Sequence, residues 1–301
     1  MNLTGLHILL TYTCNYECDH CFVWSGPWQT GVFTWPRLED VFQQARELGT
    51  IDEIYFEGGE AFLYYPLLVH AVKFAHDEGW KTGIVSNGYW ATSLEDARIW
   101  LEPLAGAGLN EIDVSSDVYH GDEQQERFAW NAMSAAAELG ITGAAVFTLD
   151  PPHETRSIDP RNQGEPVTGG GIMFRGRAAV KLVEGLPGQP WELFDACPYE
   201  NLASPSRVHL DPFGYLHLCQ GLCLGNLFER PLKDIVAGYD PTTHPIVAEL
   251  LAGGPAELVR RHGLTPDPRY VDACHLCYTA RAQLRSKFPD ILAPNQMYGL
   301  A

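Results

Sequence analysis

Three cysteines, Cys14, Cys18 and Cys21, fall within eight consecutive positions in the stretch TYTCNYECDHCF. Thiolates are soft ligands, and thiols crowded this closely in a chain with no export signal point to a metal centre rather than to disulfides. A closed structural site takes four protein ligands, so three leave one coordination position open. An open position is where a cofactor or substrate binds and reacts. A zinc completed by His20, inside the same loop, is the competing arrangement. A second group lies far along the chain, at Cys197, Cys219, Cys223, Cys274 and Cys277. Cys274-x2-Cys277 is a ligand pair, because two intervening residues let both thiols turn to one metal.

The elements that must position these thiols follow from hydrophobic periodicity. LHILLTYT (6–13) reads as a buried strand, so the three-cysteine loop leaves a strand end. Further strands are expected at 51–57, 81–87, 110–116, 142–149 and 171–176. Helical spacing fills the intervals at 36–49, 66–79, 93–108 and 122–140, with a short helix from Arg177. Thr34 is a candidate N-cap, Gly49 a stop, and Ser93-x-x-Asp96 a capping pattern. Residues 150–171 read as a long polar loop. Six β/α units imply parallel strands with right-handed crossovers. A closed eightfold barrel needs about 250 residues, so the expectation is α/β, a partial (β/α)6 TIM-like barrel over 1–185. LPGQP (186–190) is the candidate boundary to a second region, 186–301. There RVHLDPFGYLHLC (207–219) reads as a β-hairpin, and a last helix is expected over about 278–288.

With the strands in place, the residues after them resemble the radical S-adenosylmethionine (SAM) superfamily. Cys14-x3-Cys18-x2-Cys21 followed by Phe22 is similar to that family's cluster loop. Gly58-Gly59-Glu60, after the second strand, resembles its GGE motif. Ser86-Asn87-Gly88 and Ser115-Ser116-Asp117 end the third and fourth strands where the family contacts SAM. The resemblance implies a 4Fe–4S cluster on the three cysteines, with SAM chelating the open iron. It further implies cleavage of SAM to a 5′-deoxyadenosyl radical. Glu60 would then pair with the SAM ammonium, and Arg175 or Arg177 with its carboxylate. Taken alone, Glu60 reads first as a carboxylate at a helix N-terminus, and either arginine as a surface ion pair or a helix-start charge.

The C-terminal stretch, from Gly214-x4-Cys219 through Gly225-Asn226-Leu227 to Cys274-x2-Cys277, resembles an auxiliary-cluster domain of the SPASM type, in its shortened "twitch" form. That implies a β-hairpin plus helix domain with a second 4Fe–4S cluster on Cys197, Cys219, Cys274 and Cys277. Cys223 is left over. It is a buried apolar thiol, a replacement for Cys197, or a hydrogen donor to a substrate radical.

Charge and composition bound the partners. The 301 residues are 46% apolar and 19% charged, enough for a sizeable core and against disorder. The net charge of −18 argues against nucleic-acid binding. Arg260, Arg261, His262 and Arg269 are only a small local excess. The acidity suits a cationic substrate, and equally plain solubility. Neither a signal peptide nor a run of about 18 apolar residues is present, so a cytoplasmic chain without a membrane partner is expected. Families of this architecture act on small carbohydrates or on ribosomal peptides and draw electrons from a flavodoxin or ferredoxin. The first strand starts within six residues of Met1, leaving no room before it for a peptide-recognition extension. The expectation is therefore oxidation or epimerisation of a small amine- or hydroxyl-rich molecule. A peptide maturase and a non-catalytic iron–sulfur carrier are the alternatives. Trp24, Trp28, Tyr119, His120, Asp150, His153 and Glu154 are candidate substrate contacts.

Overall fold

The computed structural model describes residues 1–121, 123–152 and 170–300. Strands β1 (Gly5–Thr11), β2 (Glu53–Gly58), β3 (Lys81–Ser86), β4 (Glu111–Ser115) and β5 (Gly143–Phe147) alternate with helices α1 (Trp35–Leu48), α2 (Tyr65–Asp77), α3 (Leu94–Gly106) and α4 (Glu123–Glu138). Each strand pairs parallel with its predecessor. All five therefore end on one edge, where the loops that carry chemistry converge.

Local chemistry sets the helix ends. Pro36 opens α1, and Gly49 closes it in the left-handed conformation, its N–H reaching Ala45 O. Thr34 stands at the N-cap of α1 without a side-chain bond. Ser93 caps α3 by accepting from Asp96 N at 3.0 Å. The sheet then separates its faces by the two-residue strand period. Ile54 and Phe56 are fully buried, and Phe56 meets Phe42 of α1 edge-on. Tyr55 turns to the opposite, concave face, where it stacks on His7 and bonds Glu111 and Asp113.

The C-terminal region contains α5 (Ala178–Lys181), β6 (Gln189–Pro190), β7 (Arg207–Leu210), β8 (Tyr215–Cys219), β9 (Leu222–Asn226), α6 (Leu232–Gly238), α7 (Val247–His262), β10 (Arg269–Tyr270) and α8 (Ala273–Leu284). The expected hairpin is β7–β8, and it does not stand apart. β7 pairs parallel with the free edge of β1, His7 opposite His209. β8 and β9 follow antiparallel, so one eight-stranded sheet runs β5-β4-β3-β2-β1-β7-β8-β9.

Two elements differ from expectation. Residues 171–176 form no strand, because Gly171 and Gly176 both take positive φ and break the extended run. Their apolar side chains, Ile172 and Phe174, instead pack with Ala178 and Val271 in a small separate cluster. The last helix begins at Ala273, earlier than expected, because Asp272 caps it by accepting from His275 N at 2.7 Å.

Candidate active site at the strand ends

The three-cysteine loop is bolted to the ends of β1 and β2 by backbone bonds. Gly59 N donates to Thr11 O at 2.6 Å and Glu60 N to Thr13 O at 2.9 Å. A Cβ on Gly59 would lie 2.1 Å from Thr13 O, so only glycine permits this approach. From the other side Arg177 donates to Cys18 O at 2.7 Å and Ser25 O at 2.6 Å, and its own N–H reaches Cys21 O at 2.8 Å. Arg177 is buried and lies over the Trp24 ring. It therefore holds the loop from behind rather than facing the open space. Trp24 also takes positive φ and donates to Tyr278, whereas Trp28 is 89% exposed.

Cys14, Cys18 and Cys21 line one cavity, together with Phe22, Glu57, Gly58, Gly59, Ser86, Asn87, Ser115 and His120. Backbone donors face two of the thiols, Tyr16 N at 3.4 Å from Cys14 Sγ and Ser25 N at 3.3 Å from Cys21 Sγ. Asn87 Nδ2 adds a weaker contact to Cys14 Sγ at 3.7 Å. Burial pushes the Cys14 thiol up to about 12 and that of Cys18 higher still. Such thiols keep their protons until a metal cation displaces them.

Glu60 does not line the cavity. Its carboxylate is buried and accepts from Phe62 N at 3.0 Å, Ser86 Oγ at 2.9 Å and Asn87 N at 2.8 Å. Burial raises it to about 7 against those donors. Ser116 lies behind Ser115, its N–H on Phe147 O. Asp117 bonds His120 Nδ1 at 2.9 Å and Tyr119 N at 3.0 Å. Burial acts to raise Asp117, but His120 outweighs it and the carboxyl sits below its ordinary value. Asp150 borders a neighbouring hollow with Asp117 and Trp130. His153 and Glu154 lie outside the described residues.

The second thiol set also converges. Cys197, Cys219, Cys274 and Cys277 line one small cavity with Arg175 and Arg281. Cys274 and Cys277 stand at i and i+3 on α8, hence on one face. Cys219 ends β8. Gly254, at φ +63° in the break of α7, would place a Cβ 2.3 Å from Ala196 N, so glycine is what lets the chain pass into Cys197. Arg175 Nη1 donates to Cys219 Sγ at 3.0 Å and Glu200 Oε1 at 3.2 Å. It therefore faces this set, while its guanidinium also lies over the Phe22 ring at the border of the three-cysteine cavity. Arg281 Nη1 donates to Gln220 O at 2.9 Å. The Nε of each guanidinium is buried without a partner. Two buried cations with unspent donors fit an anionic group held by the four thiols.

Sulfur spacing separates zinc from a larger centre. A tetrahedral zinc with Zn–S of about 2.3 Å holds its sulfurs about 3.8 Å apart. Among the described residues no three cysteine sulfurs lie within 4.8 Å of one another. In both sets the sulfurs stand farther apart than the ligands of one tetrahedral zinc. Cys223 belongs to neither. It is fully buried, with Sγ 3.2 Å from both His217 Nδ1 and Ala293 O.

Several residues of the site carry no sequence signal. Arg281 sits in an ordinary amphipathic helix, and Glu57, His7 and His209 stand on strands where nothing marks them out. Gln125, which accepts from Tyr16 OH at 2.7 Å and donates to Asn87 O, is one more polar residue on α4.

A parallel barrel arc with an open-sided thiol loop at its strand ends is the framework of enzymes that bind a cofactor through iron. Residues 8–157 match the sequence profile of the radical SAM superfamily, and the chain belongs to that superfamily. It is 27% identical over 113 residues to YydG of Bacillus subtilis (strain 168), a protein named for peptide biosynthesis; the match spans 38% of this chain and 35% of that one. It is 32% identical over 84 residues to an S-adenosylmethionine-dependent nucleotide dehydratase of Selenomonas ruminantium, spanning 28% of this chain and 29% of the relative. The chain thus matches about a third of the length of these curated relatives. The solved structure of BtrN in complex with AdoMet and 2-DOIA aligns over 77% of this chain and 81% of its own, with a TM-score of 0.52 and 15% identity. That likeness is one of fold. Among the described residues no helix is long and apolar enough to cross a membrane.

Proposed function

We propose that this radical SAM enzyme carries two 4Fe–4S clusters and oxidises or epimerises a small amine- or hydroxyl-rich substrate. Cys14, Cys18 and Cys21 would hold the SAM-binding cluster, and Cys197, Cys219, Cys274 and Cys277 a closed second cluster in the 186–301 region. The observation that carries this reading is the convergence of the three thiols with Gly58, Gly59, Ser86, Asn87 and Ser115 around one cavity. When bound, the cluster and SAM supply an electron and a sulfonium whose cleavage gives the 5′-deoxyadenosyl radical that takes hydrogen from substrate.

The chain's own residues do the rest. Gly58 and Gly59 let backbone approach the cofactor, and Ser86, Asn87 and Ser115 offer it polar groups. Arg177 fixes the loop that carries Cys18 and Cys21. Ser116 and Asp117 brace the end of β4, with Asp117 orienting His120 at the cavity wall. Arg175 and Arg281, both buried, favour added negative charge on the second set. That suits an electron acceptor and hence a net oxidation. The concave face of the sheet, with Glu57 at the cavity, suits a substrate bearing amines or hydroxyls. An electron donor such as flavodoxin or ferredoxin completes the cycle. The peptide-maturase reading rests on one observation, the match to YydG.

Anaerobic reconstitution, then SAM and dithionite, tests the proposal. The wild type should hold roughly eight iron atoms and form 5′-deoxyadenosine; Cys274→Ala should hold roughly four and still form it. No 5′-deoxyadenosine at full iron content would sink the enzyme reading. Deuterium transfer into that product from labelled aminosugars, but not from labelled peptides, selects the substrate class.

A further inference from the structure

We infer that His7, Glu57 and His209 form a site for one divalent transition-metal ion in the cavity floor, separate from both cysteine sets. The three residues come from adjacent strands. His7 on β1 lies opposite His209 on β7, and Glu57 on β2 sits one step up the same concave face. Their donor atoms all lie within 4.8 Å of one another. Each carboxylate oxygen of Glu57 faces one imidazole: Oε1 contacts His209 Nδ1, and Oε2 lies 3.6 Å from His7 Nδ1.

Simple pairing leaves this arrangement incomplete. His209 and Glu57 satisfy each other, but His7 Nδ1 is buried and makes no hydrogen bond. A gap of 3.6 Å is too long for a hydrogen bond. It is close to the edge of a metal tetrahedron, about 3.4 Å for metal–nitrogen and metal–oxygen bonds near 2.1 Å. The closer His209–Glu57 contact would open to admit the ion.

The surroundings hold the ligands in place. The His7 ring stacks on Tyr55 at 5.0 Å, and Tyr55 OH is tied to Glu111 at 3.1 Å and Asp113 at 3.0 Å. His7 Nε2 lies 3.8 Å from Glu53 Oε1, an ion-pair distance that is open to a carboxylate partner without a hydrogen bond. Two imidazoles and one carboxylate select a first-row transition ion such as Zn²⁺ over Mg²⁺ or Ca²⁺. Three protein ligands leave a fourth position. Of the three ligands Glu57 lines the thiol cavity, so a substrate hydroxyl or amine would reach that position from the Glu57 side.

The test uses the reconstituted holoenzyme, treated with EDTA, given Zn²⁺ and desalted, with zinc and iron counted by mass spectrometry. The expectation is one zinc per chain at unchanged iron. His7→Asn and His209→Asn should each weaken zinc retention by more than the roughly 10–100-fold that loss of an outer partner costs, again at unchanged iron. Unchanged iron shows that the variants fold and that their thiols are occupied. Zinc absent from the wild type overturns the site, as does full zinc retention in both variants. Formation of 5′-deoxyadenosine by the wild type without added zinc is measured separately, so the radical reading and the metal site can fail independently.

Discussion

Glu60→Gln isolates a single titration at the junction of β2, β3 and the thiol loop. In the folded chain burial raises the carboxyl from 4.5 to about 7, while it accepts from Phe62 N, Ser86 Oγ and Asn87 N. A raised carboxyl means that the folded state holds the proton more tightly than the unfolded chain. The stability it contributes is full below pH 4.5 and is lost as pH rises through about 7. At about 1.4 kcal/mol per pH unit the whole swing is about 3 kcal/mol, of which about 2 kcal/mol falls between about pH 5.5 and 8.5. Glutamine does not titrate. Its amide would turn an N–H toward one of the three donors, a pH-independent cost of about 1–3 kcal/mol. The assay is urea unfolding of the iron-free chain across that range, kept reduced and followed by circular dichroism. Other titrating groups are shared and cancel in the difference. The variant should start less stable at low pH and close on the wild type by about 2 kcal/mol toward high pH. Parallel curves would refute the argument, because Glu60 would then titrate alike in both states.

Gly59→Ala should strip the three-cysteine site of its iron and abolish 5′-deoxyadenosine formation with secondary structure retained, because the new Cβ meets the Thr13 carbonyl at 2.1 Å. Gly106→Ala, where a Cβ meets nothing within 4 Å, is the control; full iron in Gly59→Ala would contradict the close-approach argument. Cys223→Ala should cost about 1–3 kcal/mol in urea unfolding through the lost His217 and Ala293 contacts, and leave iron content and product stereochemistry unchanged. An altered product would return Cys223 to the role of hydrogen donor.

The barrel arc was legible because buried parallel strands and amphipathic helices have distinct periods, and the loop glycines and thiols mark the strand ends between them. The three-cysteine cavity was legible for the same reason, since its parts lie at fixed offsets after successive strands. Arg175 was not. Its sequence position places it near the end of the barrel, but its guanidinium meets Cys219, a partner 44 residues away that only the tertiary fold brings there. Cys223 illustrates the complementary limit. Its neighbours His217 and Ala293 are brought to it by the β8–β9 pairing and by the chain after α8, contacts that no local spacing encodes. His7 and His209 face each other only because β7 pairs with β1 across roughly two hundred residues, a register set by tertiary packing.

That same β1–β7 pairing makes the molecule a ruler rather than a clamshell. The strand leading into the three-cysteine loop is laced by backbone bonds to β7 of the second region, with four residue pairs in register from Gly5–Arg207 to Ile8–Leu210. The two thiol cavities cannot swing apart about the 185/186 junction without unzipping the middle of a sheet. In the proposed two-cluster enzyme, the gap an electron would cross is therefore set at folding. For that proposed enzyme, substrate entry would fall to the loops around the rim, and variants that loosen those loops should change binding without changing the rate of transfer between the centres.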